Sequence, residues 1–219
     1  NAKNSKFLLS EILRRTTVPL VICGGDILGA YGTEQDAKNQ AKEWIEYWAD
    51  IEWDKILQIQ GNHDYTIKTS IIEDTGWTAT DATIYNYVMR KQEKRVFCPA
   101  GKRYWYYDLP GNLRIIGFCG YERTNSGDVP YGVDVYQEKA EYDWLMDVAM
   151  PANGYKFIVI THASPDRSGN IPASGGAACL YALLNAMNNK TTFSQLDGSG
   201  DYTISGDYTD ATSEVICVI

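Results

Sequence analysis

Three short apolar runs stop on residues that can do chemistry. "LVICGGD" ends at Asp26, "ILQIQGNHD" ends at Asn62, His63 and Asp64, and "FIVITH" ends at His162. Runs this short and this rich in Val and Ile read as strands buried on both faces. A strand of that kind needs helices or a second sheet packed against it. In open α/β sheets, ligand sites form at the carboxyl ends of the strands. If the three strands run parallel, their polar ends therefore converge on one edge.

The segments between these runs supply the covering layers. "SKFLLSEILRR" places Phe7, Leu8, Ile12 and Leu13 on one helical face, and Ala37, Ala41, Trp44, Ile45 and Trp48 repeat at the same spacing. Thr33 with Asp36 resembles an N-terminal cap for that second helix. "TDATIYNYVMRKQ" is expected to be helical. "RYWYYDL" and "LRIIGFCGY", joined by "PGN", predict an antiparallel hairpin. "YQEKAEYDWLMDVAM" reads as a helix with Ala140, Trp144, Leu145 and Val148 on its apolar face, and "GAACLYALLNAMNN" as another. Residues 191–214, rich in Gly, Ser, Asp and Thr, are expected to form a loop, and "SEVICVI" a strand. Strands alternating with helices, plus one hairpin, predict a single layered α/β domain with a mixed sheet over residues 1–219.

Asp26, Asn62 and His162 would offer a divalent cation a carboxylate, an amide oxygen and an imidazole. Mixed N/O ligation of that kind suits Mn, Fe, Zn or Ni better than a thiolate-seeking metal. His63 stands beside a ligand and can give a proton to a leaving group. Gly24 and Gly25 let the backbone turn sharply before Asp26. Taken singly, Asn-His-Asp after a strand is as well explained by a capping turn, and Asp26 by a turn. The ordered set of three is what points to chemistry.

The formal net charge of −8 argues against a generic nucleic-acid or anionic-membrane binder. It leaves an anionic substrate open, because bound divalent cations reverse the local sign. No stretch is apolar enough to span a bilayer. Five cysteines without CxxC spacing favour a reducing, cytoplasmic setting, and Cys23 and Cys217, inside apolar runs, are expected to be buried thiols.

Gly25-Asp26, Gly61-Asn62-His63-Asp64 and the His of "VITHASPD" follow one another in an order that resembles the calcineurin-like metallophosphoesterase family. The hairpin at "YWYYDLPGNLRIIGF" and the helix before "FIVITH" fall where that family has them. The resemblance implies an α/β/β/α sandwich with mixed sheets and a central antiparallel hairpin. It implies two divalent metal ions, with Asp26 bridging them and Asn62 and His162 on the second. It also implies a metal-activated hydroxide as nucleophile, the bound water ionising near a pH of about 7. His63 becomes the general acid, and Asp64 is the local candidate to orient it. The substrate class implied is a small-molecule or nucleotide phosphoester. The family's D-x-H and G-H-x-H motifs are missing from this chain, and their places fall before Asn1 and after Ile219. Ligands from one half-site alone imply weak metal binding and little activity for residues 1–219 as they stand. The competing reading is a phosphoesterase-fold protein that has lost activity and serves as a protein-interaction scaffold. A mononuclear amide hydrolase would need a carboxylate base near the metal, and none is identified.

Overall fold

Along "KFIVIT" the side chains of Phe157 and Val159 enter one apolar core, while Ile160 enters another and Ile158 packs against that same second core. A strand buried on both faces separates two layers of packing. That one fact organises the domain. The computed structural model describes residues 11, 20–27, 34–48, 55–61, 64, 86, 89–119, 139–162, 176–196 and 202–219.

Among these, the order is β1 (Val21–Cys23), α1 (Glu34–Trp48), β2 (Ile56–Gln58), β3 (Trp105–Leu109), β4 (Leu113–Phe118), α2 (Lys139–Trp144), β5 (Lys156–Thr161), α3 (Gly176–Asn189), β6 (Thr192–Leu196), β7 (Thr203–Asp207) and β8 (Glu214–Val218). Strands β1 and β2 pair in parallel, with Val21 opposite Ile56. A mixed sheet runs β3-β4-β5-β8, with β3 antiparallel to β4 and the other pairs parallel. The hairpin turn carries positive φ at Gly111 and Asn112, where Gly and Asn are tolerated best. Leu57 and Ile59 meet Trp105, Ile115 and Ile160 in the core between the two sheets. Ile116, Phe118, Phe157 and Val159 meet Tyr142, Leu145, Leu180 and Leu183 in the outer core against α2 and α3. Trp44 of α1 donates to the Gln58 side chain at 3.1 Å. The result is the expected layered sandwich.

Trp105 and Gly117 face each other across the hairpin. A Cβ at Gly117 would collide with the indole ring, so the glycine makes the room that the tryptophan fills. Strand β2 has no neighbour on its second edge among the described residues, and side chains take the place of one. Gln92 accepts the Gln58 amide at 2.7 Å and donates back to the Gln58 carbonyl at 2.8 Å. Trp105 Nε1 reaches the same carbonyl at 2.9 Å, and Arg95 donates to Ile56 O at 2.6 Å. Asn188 of α3 does the same on β8, accepting the Val215 amide at 2.7 Å and donating to its carbonyl at 2.9 Å. Buried peptide groups without a partner are costly, so these side chains complete what strands leave open.

Arg114 ties the sheet to the α2 region. Its guanidinium lies 3.7 Å from the Tyr106 ring centroid and 4.7 Å from that of Tyr155. It forks onto Asp108 at 2.6 and 2.9 Å and donates to the carbonyls of Val148 and Ala149 at 3.2 and 3.0 Å. Those carbonyls close a π-helical turn, Leu145–Ala149, which continues α2.

Several sequence expectations need correction. Residues 191–214 are not a loop throughout, because β6 and β7 pair antiparallel, Thr192 opposite Asp207. The inward face of the 139–149 helix is Glu141, Tyr142, Leu145 and Ala149, together with Trp144, while Ala140 and Val148 are exposed. Seen from one turn to the next, an extra residue is accommodated where Met150 N donates to Leu145 O, which shifts the phase of the apolar stripe. Cys217 is exposed, because β8 lies at the edge of its sheet among the described residues and its register slips beside Phe157 and Ile158, and Cys23 is half-buried. In "TDATIYNYVMRKQ" only Asn86 and residues 89–92 are described; Asn86 and Met89 lie in π-helical turns, and hydrogen-bonded turns follow. Of the helix expected at 5–15 only Glu11 is described, and it is helical; the Thr33 cap lies outside the described residues, as do the side chains of Ala37, Ile45 and Trp48. Among the described residues no helix is long and apolar enough to cross a membrane.

Arg114 sets a contrast that denaturation can read. Arg114→Lys removes the fork, the ring stacking and one of the carbonyl contacts, and is expected to cost about 2 kcal/mol in urea unfolding. Asp108→Ala, at a carboxylate whose side chain is 50% exposed, should cost less than about 1 kcal/mol. Similar losses for both would mean that the ion pair, not the helix-end carbonyls, carries the contribution.

Candidate metal centre

Parallel pairing of β1 and β2 brings Gly24-Gly25-Asp26 beside Gly61. The pairing continues one step past β2, where Ile59 N donates to Cys23 O at 3.1 Å. Gly25 has φ 99° and Asp26 φ 57°, both in the left-handed region. A Cβ on Gly25 would stand 2.5 Å from Gly61 N, and a Cβ on Gly61 would overlap Asp26 N and Oδ1. Both glycines are there for space. A larger residue at either would force the two turns apart.

Asp64 holds those turns together from below. It is fully buried, and its Oδ2 accepts the Gly61 amide at 2.7 Å and the Asp26 amide at 3.1 Å. Strand β5 belongs to the other sheet, yet His162, the residue after it, reaches the same edge. Its Nδ1 lies 2.6 Å from Gly24 O, and its Nε2 lies 3.4 Å from Asp26 Oδ2. A carbonyl only accepts, so Nδ1 carries the hydrogen. In the neutral ring Nε2 is then a lone pair facing a carboxylate. Two acceptors at that distance want a cation or a proton between them. Both side chains keep some solvent access, 21% for His162 and 36% for Asp26.

Of the expected ligands, Asp26 and His162 are thus brought together. Asn62, the third, and His63, the expected acid, lie outside the described residues. Among the described residues no group of three or more His, Cys, Asp or Glu is arranged to hold a metal ion. The Asp26–His162 pair nonetheless has the donor chemistry a divalent cation takes, one carboxylate oxygen and one imidazole nitrogen. Burial pushes the nearby Cys23 thiol up, and the carboxylates of Asp64 and Asp26 add to the rise.

Sequence reasoning missed the support beneath this edge. Glu141 of α2 is buried and accepts the Cys119 amide at 2.8 Å, just past the end of β4. The Cys119 thiol in turn lies 3.5 Å from Gln60 Oε1, one residue before Gly61. The available signal was a glutamate inside an otherwise apolar helical stripe. Gly24 was read only as a flexible turn residue, and its carbonyl sets the His162 tautomer.

The chain matches the family model described as calcineurin-like phosphoesterase over residues 2–207. No curated protein matches it, and no solved structure does.

Two measurements probe this edge. Gly61→Ala forces a methyl group onto Asp26 and is expected to cost about 1–3 kcal/mol in urea unfolding. No loss would mean that the turns separate freely. Brief alkylation by iodoacetamide at pH 8, mapped by mass spectrometry, should modify Cys217 well ahead of Cys23, and the reverse order would contradict the raised pKa of the half-buried Cys23 thiol.

Proposed function

Because the chain belongs to the calcineurin-like phosphoesterase family, we propose that it hydrolyses a phosphomonoester or phosphodiester using two divalent cations at the Asp26–His162 edge. The observation that carries this reading is the facing pair of acceptors, His162 Nε2 and Asp26 Oδ2, 3.4 Å apart. A ring whose other nitrogen is committed to Gly24 O is preset for a cation. When bound, the cations supply Lewis-acid polarisation of the phosphoryl oxygens and a water that ionises near neutral pH.

The chain's own residues divide the remaining work. Asp26, Asn62 and His162 would hold the ions, offering a carboxylate, an amide oxygen and an imidazole. His63 gives its proton to the departing ester oxygen, and Asp64, two residues from Asn62, steadies this loop. Mn, Fe, Zn or Ni fits a set of carboxylate, amide and imidazole donors. A chain with net charge −8 takes an anionic phosphoester only where cations reverse the local field, which favours small-molecule or nucleotide esters over nucleic-acid polymers.

Hydrolysis of an aryl phosphodiester with added manganese tests the proposal in the full-length protein. Partners one shell removed from a metal already change affinity or activity by about 10- to 100-fold, so Asn62→Ala and His162→Ala should each lose at least about 100-fold. Rates equal to the unsubstituted protein would remove the dinuclear mechanism. A well-folded protein with no manganese-dependent rate at all would favour the scaffold reading.

A further inference from the structure

We propose that Asp64 is a positioning residue, whose carboxylate holds two loops in tension and so aims Asp26 at His162. The geometry stands by itself, and its consequence for metal binding rests on the function proposed above. Asp26 sits at φ 57°, a left-handed conformation that costs residues with a Cβ, though Asp less than most. Hydrogen bonds to its amide favour that conformation. In that conformation its amide points inward to Asp64 Oδ2 at 3.1 Å, and the same oxygen takes the Gly61 amide at 2.7 Å. Two amides converging on one buried carboxylate oxygen make charge-assisted bonds, stronger than those to a neutral acceptor.

The two loops stand between opposed limits. Gly25 and Gly61 are already so close that neither position has space for a Cβ, so the loops cannot approach further. They can only splay. Asp64 is the one described side chain that grips both, which makes it the brace against splaying. Once its grip is lost, Asp26 is free to relax toward negative φ, and its carboxylate leaves the 3.4 Å station opposite His162 Nε2. Neither step calls on His63, so this role is separate from that of a partner orienting the general acid.

The test uses the full-length protein, its Asp64→Ala variant and its Asp64→Asn variant, which keeps a carbonyl oxygen able to accept both amides. Amide hydrogen exchange in metal-free protein reads the brace. Asp64→Ala should speed exchange at Gly61 and Asp26 while leaving β4 and β5 protected, and Asp64→Asn should retain most of the protection. Calorimetric titration with manganese reads the consequence. Asp64→Ala is expected to bind about 10- to 100-fold more weakly, with Asp64→Asn in between. Unchanged exchange at both amides in Asp64→Ala overturns the brace. Faster exchange with unchanged manganese affinity overturns the positioning role. If the unsubstituted protein binds no manganese, the phosphoesterase reading fails, and selective exchange at Gly61 and Asp26 still decides whether Asp64 braces the loops.

Discussion

Contact between two glycine backbones governs this edge of the molecule. Gly25 follows the first parallel strand and Gly61 follows the second, and they pack with no space for a side chain between them. Parallel pairing fixes the heights of the two turns, and the glycines let them come this close. The Asp26 carboxylate there faces the imidazole arriving from the second sheet. The site is therefore a product of packing between layers. Neither sheet alone assembles it.

The layers themselves are joined by a few polar side chains placed where apolar packing cannot act. Arg114 spans from a strand to the carbonyls at a helix end, with aromatic rings on either side. Glu141 reaches from a helix to the amide at the end of β4. Apolar area supplies most of the driving force for burial, but it is non-directional. Hydrogen bonds from buried charges fix the relative placement of the elements that the apolar cores merely hold together.

Much of this was legible in the sequence for a physical reason. A continuous run such as "FIVIT" has to be buried on both faces, so the layered architecture follows from it, and "PGN" between two β-rich segments has to turn. The edge that gathers Asp26 and His162 was legible because strand ends are where chemistry collects. What escaped depended on local geometry. The β6–β7 pair is short and mostly exposed, so it lacks the apolar alternation that marks a strand. A π-helical turn moved the buried face of the 139–149 helix, and composition carries no trace of a single added residue per turn. Cys217 looked buried among apolar neighbours, but an edge strand with a register slip turns some of its residues outward. Asp64 could be read from its neighbours as a partner for His63, while its bonds to Gly61 and Asp26 involve backbone groups that no pattern of side chains reveals.

The carboxamides of Gln92 and Asn188 each occupy both the donor and the acceptor of one residue in a strand, Gln58 and Val215. Each is a counterfeit of a neighbouring peptide, one unit long and attached to its own molecule. An exposed row of peptide groups invites strands from other copies, and that invitation is a common route to fibrous association. Here a stranger attempting to lengthen either sheet meets a place already taken. Among the described residues the sheets thus end at those two points without another strand, and the closing side chains carry no charge.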